Sequence, residues 1–163
     1  MGYRNFPSFL LIAIPLFTAF VVSGNGFSQT RQEHIHHQAN TVMPFDISRA
    51  VHFFKMTESG GTQRVVAKVP GDVHQVRLIR EHLRHEADKF QQGDFSAPAH
   101  LHGADMPGLN ELQAGAGRMT ISYTEIPAGA AISFETDDIS LITAVHRWFG
   151  AQLSEHGADA RAE

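Results

Sequence analysis

The sequence contains no cysteine among its 163 residues. This absence excludes disulfide bonds, zinc sites with thiolate ligands, cysteine-held iron–sulfur clusters, covalently attached c-type haem and cysteine nucleophiles. Positive charge is also scarce, because 13 Lys and Arg face 17 Asp and Glu, for a formal net charge of −4. A chain with this balance has no basic excess to bind the phosphates of nucleic acid, so we expect no nucleic-acid partner.

Motifs of several enzyme classes are missing as well. The sequence has no Gly-x-Ser-x-Gly nucleophile elbow. The glycine-rich stretch 115–117 precedes a predicted strand, whereas a phosphate-binding loop follows one. The adjacent carboxylates Asp137 and Asp138 stand at a predicted helix start, where helix capping explains them. The sequence therefore names no reaction, and it gives no indication of the oligomeric state.

The first 24 residues have the order of a secretory signal peptide. A start with one basic residue, Arg4, is followed by the apolar run 9–22 and by small residues up to Gly24. The apolar run is shorter than the roughly 20 residues that a membrane-spanning helix needs. We predict a signal peptide at 1–24, a periplasmic or secreted protein, and no stable membrane insertion after cleavage. A retained membrane anchor is the alternative.

The rest of the chain is predicted to form a flexible histidine-containing arm (25–41), one domain (42–158) and a tail (159–163). The domain consists of two β-β-α units, each with strand-type alternation in two segments followed by an amphipathic helix. The fold class is α+β, in which the two units form an antiparallel sheet with the helices packed on one face. The predicted strands are 50–56, 62–69, 118–126 and 130–136, and the predicted helices are 72–92 and 137–155.

Eleven histidines are the outstanding feature of the composition. His146 shares a predicted helix face with Ile142, Phe149 and Leu153, so we expect it to face the core. A histidine there is either a satisfied structural group or a ligand or general base, because burial and neighbours tune the imidazole pKa across neutral pH.

The long segment 93–117 between the two units holds His100 and His102, with Asp105 and Met106 directly after them. Long connections inside compact domains are often functional. Imidazole suits zinc and copper, and a thioether favours copper(I), so this segment is a candidate metal-binding loop. An ordinary polar surface loop is the alternative.

Two further predicted elements place histidines near this loop. His82 and His85 are neighbours on the polar side of the first helix, which is typical of a solvated face, although His82 lies at its edge. His52 alternates with large apolar residues along the first strand and is either a ligand or a partly buried strand residue. His156 is expected to interact with the C-terminus of the second helix, where a cation is favoured.

The chain resembles a family of small exported bacterial proteins of unsettled function. The resemblance lies in the segments VMPFD (42–46), VHFF (51–54), LIREHL (78–83), GDFSAPAHLHGADMPGL (93–109), AVHRWFGAQL (144–153) and EHGADA (155–160). It implies a shared set of histidines, namely His52, His82, His102, His146 and His156. Members are sometimes labelled aspartate carbamoyltransferase, but that enzyme is about twice as long and cytosolic, and its Ser-Thr-Arg-Thr-Arg run is absent here.

These observations predict a periplasmic metal-binding protein in which His82, His102 and His146 converge, with Met106 or His52 completing the ligands. Copper or zinc is the expected ion. One alternative is an enzyme without metal that uses His146 as a general base. Another is a module that binds haem through a His/Met pair, or binds a partner protein.

Overall fold

The structure is a computed structural model that describes residues 1–2, 33, 38–39 and 41–163. Residues 3–24 of the predicted signal peptide and most of the predicted arm, including His34, His36 and His37, lie outside the described residues. Within the described ranges, no helix is long and apolar enough to cross a membrane.

Two β-hairpins, each followed by a long helix, confirm the predicted α+β fold. The last residues of the chain add a fifth strand, and two short helices lie between the two units. The elements are β1 (Ala50–Thr57), β2 (Gly60–Ala67), α1 (Val73–Gln91), α2 (Ser96–His102), α3 (Leu109–Gly115), β3 (Thr120–Ile126), β4 (Gly129–Glu135), α4 (Ile139–His156) and β5 (Ala160–Ala162).

The sheet has the order β3-β4-β2-β1-β5. The four hairpin strands pair antiparallel, and the two hairpins meet where β2 pairs with β4. Strand β5 pairs parallel to β1, with His52 opposite Ala160. The sheet is therefore mixed, and the predicted tail at 159–163 is wrong because most of it belongs to this edge strand.

Two glycines allow the sheet and helices to approach closely. A Cβ atom on Gly129 would lie 1.9 Å from the carbonyl oxygen of Val65, on the neighbouring strand β2. A Cβ atom on Gly61 would lie 2.6 Å from the Phe149 ring of α4. These distances are far inside van der Waals contact, so a larger residue at 129 would push β4 away from β2, and one at 61 would push α4 away from the sheet.

The two long helices begin at aspartate caps. The Asp72 side chain accepts a hydrogen bond from the backbone N–H of Gln75, and Asp138 accepts one from Ser140. Asp138, and not Asp137, is therefore the cap of α4. Each cap satisfies a backbone N–H that has no partner within the helix.

Helix α4 buries a face rotated from the predicted one. Its most buried side chains include Leu141, Val145, Trp148 and Gln152, whereas Ile142 and Leu153 are only half-buried. Trp148, predicted to lie off the apolar stripe, is 1% exposed and stands at the centre of the core. The rotation also moves His146 to the edge of the buried face.

Candidate functional site

A cavity of about 50 Å³ lies between the helices α1, α2 and α4 and the sheet. It is larger than a single water molecule needs. Three of the predicted site residues line it, each from a different element: His52 on β1, His82 on α1 and His102 on α2. The other lining residues are Val42, Met43, Phe45, Gln63, Val65, Leu83, Glu86, Phe90, Ala97, Pro98, Leu101, Ile132, Trp148 and Gln152.

His52 is a buried, neutral imidazole. Only 2% of it is exposed, because its position on β1 points toward the helices. Burial, together with the charges of His102 and His82, lowers the pKa of His52 from 6.5 to about 4, while the charge of Asp159 and a hydrogen bond with its backbone act in the opposite direction. Its Nδ1 atom is buried and has no hydrogen-bond partner among the residues that the structure describes. Buried polar atoms almost always have a partner, so this nitrogen is the most unusual atom of the site.

His82 lies half-buried at the side of the same cavity. Its ring meets the Phe45 ring edge-on, with 5.5 Å between the ring centres. Burial lowers its pKa to about 4, and the nearby charges of His85 and Lys89 act in the same direction. At neutral pH this imidazole is therefore also uncharged, which is the form that binds metal ions.

His102 is held by a carboxylate. Its Nδ1 atom lies 2.7 Å from Oε2 of Glu155, and its side chain is almost fully buried. A carboxylate in this position fixes the orientation of an imidazole ring, as it does in many metal sites and in general bases. Glu155 was not predicted, because the two residues are 53 positions apart and only packing of α2 on α4 brings them together.

His156 was predicted near a helix end, and the structure places it in the interior. It is the last residue of α4 and is 1% exposed. Its ring stacks on His52 at 4.8 Å and meets His102 at 5.0 Å between centres. The prediction ended the helix one residue early and missed that β5 covers this end of it.

The prediction that His146 belongs to this site is wrong. His146 does not line the cavity. Its Nε2–H donates to the carbonyl oxygens of Thr57, at 3.0 Å, and Gly60, at 2.9 Å. These carbonyls flank the turn between β1 and β2, so His146 ties α4 to the first hairpin. The Nε2 atom of His146 is therefore used in structural hydrogen bonds.

Met106 does not line this cavity; it lines a separate pocket of about 140 Å³ together with His102, Asp105 and Glu155. It is 5% exposed and belongs to the apolar core, on the side of His102 that faces Glu155 and not the cavity. The methionine that lines the cavity is Met43, which comes from the segment before β1. No periodicity identifies that segment, so the sequence pattern offered no signal for Met43.

The cavity histidines are close together but are not arranged as a finished metal site. Within residues 41–163 and the few described before them, no group of three or more His, Asp or Glu side chains is placed to hold an ion. A second polar atom of the lining, the buried Nε1 of Trp148, also has no partner in the described part of the chain. His52 and Trp148, which both line the cavity, therefore each bury a ring nitrogen that has no partner in the described part of the chain, and a ligand can satisfy such atoms.

No family model, curated protein or solved structure matches this chain.

Proposed function

We propose that this protein binds a transition-metal ion, zinc or copper, in the cavity lined by His52, His82 and His102. The observation that carries the proposal is the buried, unpartnered Nδ1 of the neutral His52. A metal ion bound there removes the cost of leaving this lone pair without a partner, which is about 1–3 kcal/mol.

The donor set of the cavity supports this ion class. Its principal donors are imidazoles, which suit zinc and copper, and the His102 ring is oriented by Glu155 in the manner of a metal ligand. His82 is half-buried, so its side chain has room to turn toward His52 as an ion binds. Met43 adds a thioether to the same lining, which favours copper(I) over zinc.

Binding titrations on the purified exported protein test the proposal. After removal of metal with a chelator, zinc and copper are added and the bound ion is measured by elemental analysis after gel filtration. We expect one tightly bound ion in the wild type and at least about a ten-fold loss of affinity in His52→Leu and in His102→Ala. His74→Ala is the matched control, since His74 is exposed on α1 and lines no part of the cavity.

A protein that takes up neither ion, or that binds equally well without His52 and His102, contradicts the proposal. If the wild type does bind an ion through His52 and His102, Met43→Leu decides which ion it is. A loss of copper(I) affinity with unchanged zinc affinity assigns copper. His146→Ala tests the ligand set predicted from sequence, and we expect it to leave binding unchanged.

A second candidate function is acid–base catalysis without metal. The observation that favours it is the 2.7 Å contact between His102 and Glu155 beside the cavity. The candidate general base is therefore His102, and not His146 as the sequence suggested. This function predicts that the metal-free protein binds a small polar molecule and that His102→Ala removes this binding. Ligand-detected NMR measures the binding. The haem alternative finds no support, because a porphyrin is far larger than the cavity.

A further inference from the structure

A second group of histidines lies on the surface outside the cavity. A groove of about 370 Å³ runs between α1 and α2. We call it the histidine groove. Its lining residues are Val42, His82, His85, Glu86, Lys89, Ser96, Ala97 and His100. His85 and His100 are exposed, so their side chains are accessible to ions in solution.

The histidine groove adjoins the buried cavity. Four residues line both of them, namely Val42, His82, Glu86 and Ala97. His82 is the imidazole that faces both spaces, with the exposed His85 and His100 on one side and the buried His52 on the other. His82 and His85 are neighbours because they are three residues apart and share one side of α1.

The charges around the groove are compatible with a cation. Glu86 contributes a buried carboxyl group. The ammonium group of Lys89 also faces the groove, and it lies 4.0 Å from the carboxylates of both Glu86 and Asp94. These carboxylates offset the positive charge that would otherwise repel a metal ion.

We propose that the histidine groove captures the metal ion and passes it to the buried site through His82. This inference rests on the proposed metal-binding function. An ion that enters an apolar interior without ligands loses its hydration at high cost. His85 and His100, then His82, then His52 offer a series of nitrogens that replace the hydrating waters one at a time.

Loading kinetics test this route. The metal-free wild type, the double variant His85→Ala/His100→Ala and the control His74→Ala are mixed in a stopped-flow instrument with zinc or copper bound to a chromophoric chelator. We expect loading to slow at least about ten-fold in the double variant. Release should slow by the same factor while affinity stays constant, because a route changes both rates and not the equilibrium. His74→Ala should load at the wild-type rate.

The outcomes separate this inference from the proposed function. A wild type that binds no ion overturns both. A double variant that loads and releases at wild-type rates, with full affinity, overturns only the groove. A double variant with lower affinity and unchanged loading also overturns it, because His85 and His100 would then act as ligands and not as a route. Circular dichroism of each variant confirms that the fold is intact.

Discussion

Two parts of the interior bury aromatic rings at similar spacing and with opposite chemistry. Around Trp148 the neighbouring rings are all phenylalanines, with centres 5.4–5.9 Å away. Around His156 the neighbouring rings are His52 and His102, with centres 4.8 and 5.0 Å away. The first cluster consists of phenylalanine rings around a single polar atom, the Nε1 of Trp148, whereas every ring of the second carries two nitrogens that need partners. We infer from this difference that the cluster around Trp148 stabilises the fold, and that the cluster around His156 is the part of the interior suited to a ligand.

Among the variants considered, we expect the largest loss of stability from a substitution in the phenylalanine cluster around Trp148. Phe149 is fully buried against Phe54, Phe134 and Trp148. Phe149→Ala leaves a cavity, so we expect the free energy of unfolding to fall by about 3–5 kcal/mol, measured by urea denaturation. Val73→Ala is the control, since Val73 is 77% exposed and its truncation should cost little. An equally small effect of Phe149→Ala would show that this cluster is not the stabilising part.

The second prediction concerns the histidine cluster around His156, which makes the stability of the protein depend on pH. The pKa of His52 is about 4 in the folded protein against an ordinary 6.5. Below pH 6.5 the unfolded chain takes up a proton that folded His52 does not, so His52 alone lowers the stability between pH 6.5 and 4 by an amount on the order of 3 kcal/mol, and His82 adds a similar decline. Urea titrations of the metal-free protein across this range measure it.

His52→Leu sharpens the same test. His82 has a similarly lowered pKa and stays in the variant, so the decline with falling pH should be roughly halved and not abolished. At neutral pH the variant should be as stable as the wild type or slightly more so, because it no longer buries an unpartnered nitrogen. A variant much less stable at neutral pH would mean that His52 is a structural residue.

We expect the smallest loss of stability from a substitution of His146. Unlike His52, this histidine has hydrogen-bond partners within the fold. His146→Ala removes two hydrogen bonds to the hairpin carbonyls of Thr57 and Gly60. We expect a loss of about 1–2 kcal/mol in the free energy of unfolding, since the site is half-buried and water can reach part of it. His146→Gln, which can still donate an N–H, should recover part of the loss in the same denaturation assay.

Much of the fold was predictable because it depends on local patterns. Alternation, turn glycines and aspartate caps are read within a few residues, and they placed both hairpins and both long helices near their observed bounds. Strand β5 was not predictable. It has three residues and no alternation, and it exists only because β1 offers it an edge.

The candidate site was only partly predictable. His52, His82 and His102 were selected by residue type and position, and the structure brings all three to one cavity. His146 was chosen because its neighbours at helical spacing are apolar, but the burial of α4 is centred on Leu141, Val145 and Trp148. The buried face of α4 is rotated by about one residue from the predicted face. His146, predicted to be a ligand, therefore donates a hydrogen bond to the first hairpin.

The sequence alone therefore determined the order of the two hairpins and the two long helices, the aspartate caps, the absence of cysteine chemistry and the abundance of histidine. Only the tertiary structure decided which histidine nitrogens are buried without a partner and which are used to join α4 to the hairpin. The physical reason is that satisfaction of a polar atom depends on groups distant in sequence, such as Glu155 for His102 and Thr57 for His146. No local pattern records those partners, because they meet only when the helices pack on the sheet.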